Sequence, residues 1–281
     1  MRNQKLDIVF FGIDAFSNVV LNSLINSPHK IKLVVSHFYH DSAYNQLKST
    51  CTKNNIPLIR AEIINSPLVI AKVKEAKPDL GIIAHFERII KNDILSVPKM
   101  GFINLHPSLL PYYRGLAPQH WPLINGETEV GITVHHVDEG TDTGDIILQR
   151  RYVISKDTYV AELHALWLKE YKTIMLEAIE KMLNGDPVKK QNHLKGSYYE
   201  KMKDEPYQLN KEWNVRTAYN WVRAMSMPYS GVLYGNTIVY KAHIMQEGES
   251  VDEDELILPF SDGCLVAEWY DELEINILNN E

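Results

Sequence analysis

The chain has 281 residues, enough for one large domain or two modest ones. Hydrophobic residues make up 45% and charged residues 23%, an ordinary globular balance, and the formal net charge of −7 argues against a general nucleic-acid binder, which needs surplus Lys and Arg to neutralise phosphates. The two cysteines, Cys51 and Cys264, lie far apart without metal-ligand spacing, so both read as free thiols in a reducing compartment.

Leu6–Phe11 reads as a buried strand ended by Gly12. Asp7, Gly12 and Asp14 interrupt the apolar run, so this start is a first strand and not a signal peptide. No apolar run approaches the roughly 18 residues a membrane span needs. A helix is expected over 16–25, a strand over 31–35, a weaker helix over 45–54 and a short strand over 56–59. A helix over 69–76 and a strand over 79–84 follow. Strands alternating with helices predict an α/β parallel sheet, whose ligands sit beyond the carboxyl ends of the strands. Gly12, the segment Ala84–His85–Phe86 and the pair Asn104 and His106 fall at such ends. Gly12–Phe16 lacks the G-x-G-x-x-G fingerprint, which disfavours a nicotinamide enzyme.

The stretch from Gly101 to Asp145 concentrates the polar chemistry. Asn104 and His106 stand two apart on a predicted strand, so they share a face, and Pro107 stops the pairing. A second strand-like run, Gly131–Val137, leads to a turn-rich loop carrying Asp138 and Asp142. Two neighbouring strands would bring Asn104, His106 and Asp142 to one sheet edge. An amide donor, an imidazole and a carboxylate there suit acyl transfer. His135 and His136 alternate faces and have no metal-ligand partner set, so no metal site is expected.

Further on, Ile146–Ile154 reads as a strand leaving the site. Asp157 or Thr158 would cap one long helix over 160–184, ended by Gly185. Residues 188–210 break the pattern and read as a linker. A short helix over 213–225 and strands over 231–233, 237–244, 255–258 and 264–270 then suggest a small β module. The resulting division is a catalytic domain over 1–190, a linker over 191–210 and a β-rich domain over 211–281.

Asn104-Leu-His106, Ser108–Gly115 and the Asp138–Gly144 loop resemble, in order and spacing, motifs of the folate-dependent formyltransferase family. Residues Trp121–Gly131 resemble its nucleotide-sugar branch most and its tRNA branch second. The resemblance implies a Rossmann-like formyltransferase domain followed by a small, mostly-β, open-barrel-like domain. It implies 10-formyltetrahydrofolate as donor, no metal, and Asn104, His106 and Asp142 as the catalytic set. Asn104 can aim an N–H at the formyl oxygen, while His106 can take the amine's proton or bond the oxyanion. Asp142 can orient His106, favour its charged form, or relay a proton through water.

Ala84–Ile90 matches the pterin-side segment, with Phe86 and Ile90 for apolar contact and Glu87 in a turn. Asp138 opens the opposite loop. The family often has a Tyr-Gly pair where this chain has Phe86-Glu87.

For the acceptor, a nucleotide-linked, dTDP-type amino-dideoxy sugar needs an aromatic face for the base and one or two cations, such as Arg114 and Arg223, for the pyrophosphate. Arg114, Tyr198, Tyr199, Trp221, Arg223 and Tyr229 are candidates. The segment Phe38–Asn45 is not basic, which disfavours tRNA. The expected setting is a cytoplasmic homodimer making surface-polysaccharide (O-antigen type) precursors, with no nucleic-acid or membrane partner. The alternatives are a methionyl-tRNA formyltransferase and a non-catalytic folate- or nucleotide-binding module.

Overall fold

A computed structural model describes residues 4–37 and 41–273. The first residues of the non-basic segment, at 38–40, lie outside the described residues, as do 1–3 and 274–281. The chain folds as two compact units. One is Met1–Leu116 with Gly131–Arg151 and Leu166–Tyr198; the other is Ala117–Val130 with Tyr152–Ala165 and Tyr199–Glu281. The first boundary inside the segment read as a linker thus falls between Tyr198 and Tyr199.

A seven-stranded sheet organises the first part of the chain. Its strands in chain order are β1 (Asp7–Phe11), β2 (Lys30–His37), β3 (Leu58–Ala61), β4 (Leu80–Ala84), β5 (Phe102–His106), β6 (Glu129–His136) and β7 (Ile146–Val153), arranged β3-β2-β1-β4-β5-β6-β7. Pairing is parallel from β3 to β5, and β6 then runs antiparallel to β5. The order reverses direction at β1, where the chain crosses from one side of the sheet to the other. Such a switch point leaves a crevice beyond the strand ends. Helices α1 (Ala15–Ile25), α2 (Asp41–Lys53) and α3 (Pro67–Ala76) make the crossovers. Asp14 caps α1 reciprocally with Ser17, at 2.8 Å in each direction. Val9, Phe11, Leu33, Val35, Ile83 and Phe102 form the buried centre of one core cluster, onto which Phe86 packs.

The single long helix expected over 160–184 is instead two, α4 (Val160–Glu170) and α5 (Ile174–Asn184). The break is held by Arg150 of β7, whose guanidinium bonds Glu170, Thr173 and Glu177. The Thr173 hydroxyl also turns back on the Glu170 carbonyl at 3.5 Å, competing with helix continuation. Neither expected residue caps α4. The Thr158 hydroxyl accepts from Ser155 N–H, and Glu162 instead accepts from the Tyr159 N–H at 2.7 Å. Gly185 ends α5 in the left-handed conformation, φ +72°.

In the second unit, α6 (Val215–Met225) is capped by Asn214, whose side chain accepts from Thr217 N–H at 2.7 Å. A five-stranded sheet follows: β8 (Tyr207–Gln208), β9 (Val232–Tyr234), β10 (Thr237–Ile244), β11 (Leu256–Phe260) and β12 (Gly263–Glu272), in the order β8-β9-β10-β12-β11. The α/β sheet followed by a small open-barrel-like β module is the fold class the sequence implies. Both cysteines are free, Cys51 buried and Cys264 half-buried. No helix among the described residues is long and apolar enough to cross a membrane.

Candidate active site

β5 and β6 build the site. Their antiparallel register sets Asn104 opposite His135 and His106 opposite Thr133. After β6 the chain turns and re-enters the sheet as β7, carrying Asp142 back to these side chains. Asp138 closes the turn, accepting from the Gly140 N–H at 3.1 Å and from the Thr143 hydroxyl. Asp142 itself sits at φ +54°, left-handed backbone that costs a non-glycine residue energy and persists only where its surroundings enforce it.

Two residues on, the loop passes so close to β6 that a Cβ on Gly144 would lie 1.8 Å from the His136 carbonyl oxygen. Backbone cannot yield to that contact as a side chain would. Gly144→Ala is therefore expected to cost about 1–3 kcal/mol, lowering the melting temperature by several degrees at roughly 2–4 °C per kcal/mol. Calorimetry reads this directly, and an unchanged melting temperature would mean that the loop shifts without cost.

Asp142 is the hub. Its Oδ1 accepts from Asn104 Nδ2 at 3.2 Å and lies 3.5 Å from His135 Nε2. Its Oδ2 accepts from the Gly115 backbone N–H at 2.9 Å and lies 3.7 Å from His106 Nδ1. A carbonyl can only accept, and this fixes both imidazoles. His106 Nε2 is 2.7 Å from the Tyr113 carbonyl, so Nε2 carries the proton and Nδ1 of the neutral ring is a free base. His135 Nδ1 is 2.8 Å from the His136 carbonyl, which leaves its Nε2 as an acceptor in the neutral ring. Asn104 Nδ2 lies 3.2 Å from that atom, so both amide hydrogens have protein partners.

Burial pushes His106 below its ordinary value of 6.5, against the pull of the Asp142 carboxylate. Burial alone would raise Asp142. Attraction to His106 in its charged form, contact with His135 and the Gly115 N–H outweigh it and hold the carboxyl well below the usual range. Near neutrality the pair is thus a neutral imidazole beside an ionised carboxylate. Such a pair can take up a proton at Nδ1 and stabilise the resulting cation.

A second polar knot lies at the end of β4. His85, at φ +47°, places Nδ1 3.1 Å from Asp14 Oδ2 and Nε2 2.9 Å from the Tyr171 hydroxyl, with the Phe16 ring stacked on it at 4.8 Å. It pins the start of the Ala84–Ile90 segment. Within that segment Phe86 meets Phe11 at 5.5 Å and His37 at 5.1 Å, Ile90 is buried, and Glu87 is exposed.

The residues read as acceptor contacts fall into four different settings. Arg114 is 1% exposed and bonds Gln191, His193 and Tyr198. Tyr198, 57% exposed, lies beneath its guanidinium at 5.4 Å. In the second unit, Tyr199 tilts against Trp121 at 4.8 Å, and Trp121 meets Trp221 at 6.2 Å. Tyr229 joins a different group, with its ring 4.2 Å from His120 and its hydroxyl 3.0 Å from His164 Nε2. Arg223 is fully buried. Its Nη1 and Nη2 donate to the carbonyls of Thr158 and Leu123, at 2.8 and 2.9 Å, and its Nε donates to Asn220. Its charge is thereby spent inside the second unit, on carbonyls and not on a ligand.

His135 and Gln191 belong to the Asp142 cluster and were missed by sequence reasoning. The first was legible only through the β5–β6 register. The second sits in a segment with no periodicity to read.

The formyl transferase family matches residues 8–179. The methionyl-tRNA formyltransferase of Clostridium acetobutylicum is 31% identical over 282 aligned residues, covering 93% of this chain and 90% of the relative. Among solved structures, WlaRD, a sugar 3N-formyl transferase crystallised with dTDP and 5-N-formyl-THF, superposes with a TM-score of 0.71 at 21% identity, covering 97% of this chain and 99% of that one. The N-formyltransferase of Helicobacter canadensis, in complex with folinic acid and dTDP-3-aminofucose, gives a TM-score of 0.71 at 20% identity, over 93% and 98% of the two chains. The amide, imidazole and carboxylate described above lie within the matched span, and the chain belongs to the formyl transferase family.

Proposed function

We propose that this enzyme transfers a formyl group from 10-formyltetrahydrofolate to the amine of a nucleotide-linked amino-dideoxy sugar. The residues fit a carbonyl-bearing donor: an amide, a basic imidazole nitrogen and a carboxylate converge. The donor supplies the formyl carbon and, as leaving group, its N10. Segment Ala84–Ile90 would hold the pterin through its backbone, since Phe86 and Ile90 are already packed on the protein.

As the amine attacks, a C–N bond forms, the bond to N10 breaks, and the amine must lose a proton. His106 Nδ1 takes that proton, and the Asp142 carboxylate stabilises the imidazolium. The same proton is then available to N10. Asn104 turns one N–H from His135 Nε2 to the formyl oxygen. It exchanges a neutral hydrogen bond for a charge-assisted one, which is roughly twice as strong.

One observation carries the choice of acceptor. A cluster of half-buried rings lies in the second unit, with Trp221 meeting Trp121, Tyr207 and Trp213 and Trp121 meeting Tyr199, at centroid distances of 4.8 to 6.2 Å, in a chain of net charge −7. Rings offer a flat face to a nucleobase, while a net negative chain is poorly matched to a tRNA's phosphates. The sugar N-formyltransferases of matching fold support the same reading. A second reading, formylation of methionyl-tRNA, is favoured by the relatives at 31% identity.

The test is steady-state turnover of the full chain with 10-formyltetrahydrofolate, offered a panel of dTDP-linked amino sugars or charged initiator tRNA. Turnover of one or more of the sugars and none of the tRNA is expected. Formylation of the tRNA alone would overturn the proposal.

A further inference from the structure

We infer that Arg114 and Gln191 form a buckle that fixes Asp142 against His106, making them positioning residues of the reaction and not a phosphate site. The inference rests on the reading above that Asp142 works with His106.

Gln191 is 6% exposed. Its Nε2 donates to two loop carbonyls, Asp142 at 2.9 Å and Gly144 at 2.7 Å. Its Oε1 accepts from Arg114 at both Nε, 3.2 Å, and Nη2, 2.7 Å. The fork of a guanidinium thus fixes the amide, and the amide fixes the loop. The remaining Arg114 contacts stay within the same unit: His193 Nδ1 accepts from Nη2 at 3.1 Å, and the Tyr198 hydroxyl accepts from Nη1 at 3.1 Å. Space for the head is reserved too, because a Cβ on Gly196 would lie 2.5 Å from Nη1.

Arg114 also acts through its own chain. The next residue, Gly115, gives its N–H to Asp142 Oδ2. The Asp142 backbone is therefore held from one side by Gln191 and its carboxylate from the other by Gly115, with Arg114 joining the two. This is the enforcement that left-handed backbone at Asp142 requires.

Gln191→Glu separates the possibilities. A glutamate keeps oxygens for Arg114 to bond, but it has no N–H for the two carbonyls and opposes them with charge. Arg114→Met removes the fork altogether. Two measurements are made on the full chain: nitrogen-15 imidazole NMR of His106 without substrates, and dTDP affinity by calorimetry. His106 is faced by Asp142, His135 and His85, and of these Asp142 alone draws its proton affinity upward.

Freeing Asp142 is expected to move the His106 titration to lower pH in both variants, with dTDP affinity within about twofold of wild type. Where a sugar substrate is in hand, kcat falls on the order of 100-fold with KM little changed, the usual effect of a displacement of about 1 Å. An unmoved His106 titration in Gln191→Glu, or a dTDP affinity lost in Arg114→Met, would overturn the inference. The NMR readout needs no acceptor, so it stands apart from any failure to find the sugar. Should Arg114→Met fail to fold, Gln191→Glu alone decides.

Discussion

His106→Asn is expected to lower kcat by roughly 10²–10⁴, the usual span for losing a general base, while the proposed nucleotide-sugar acceptor binds as before. The direction follows from the tautomer. The Tyr113 carbonyl occupies the protonated Nε2, so the reactive nitrogen is Nδ1, 3.7 Å from Asp142 Oδ2. Asparagine can still donate an N–H to a carbonyl, but it has no atom that accepts a proton near neutral pH. Single-turnover rates with saturating donor would separate chemistry from binding, and a rate within a few-fold of wild type would remove His106 from the mechanism.

The same substitution has a signature in stability. His106 has a folded-state proton affinity below its ordinary value of 6.5, so below that pH the unfolded chain binds the proton better. Its contribution is intact above 6.5 and is lost as pH falls toward the folded value. The variant should therefore lose less melting temperature than wild type on acidification. It does not become flat, because burial also pushes His120 down to about 4, and that residue titrates in the same direction.

Strand β5 was legible in the sequence because period-2 geometry and a proline stop are local. Asn104 and His106 share a face for that reason alone. The loop that returns Asp142 was legible as a motif, through Asp138 and its glycines. The break between α4 and α5 was not, since its cause is Arg150, a residue of another element. Periodicity continues across that gap and cannot register a distant guanidinium.

Neighbouring aromatics were the other weak point. Tyr198 and Tyr199 both read as acceptor contacts, yet adjacent residues on an extended chain point to opposite sides. One lies beneath Arg114 and the other meets Trp121, in different units. Arg223 is the strongest case. A cation two residues past Trp221 in the sequence suggests a phosphate ligand, but on α6 residues two apart are rotated by about 200° and face nearly opposite sides. The guanidinium turns inward to carbonyls, and only three-dimensional contacts reveal which face of a helix is already satisfied.

Asp142→Asn is expected to be nearly as damaging as loss of the base, for two reasons that add. At 3.7 Å from Nδ1 the carboxylate stabilises an imidazolium by on the order of 4 kcal/mol at an effective dielectric near 20, an upper figure that corresponds to about a thousandfold in rate. Removing it makes the protonated ring costlier to form, so kcat falls, and the acid limb of its pH profile moves further below 6.5. The second reason is hydrogen bonding. Both carboxylate oxygens accept, one from Gly115 N–H and one from Asn104 Nδ2. An asparagine offers one acceptor and one donor, so one of these bonds becomes a contact between two N–H groups. The loop must then shift, or Asn104 must turn away from the position proposed for it at the formyl oxygen. Asp142→Glu preserves charge but overreaches by a methylene, and it should recover the pH profile more than the rate. Finding the acid limb of Asp142→Asn at or above the wild-type position would show that the carboxylate does not act on His106 at all.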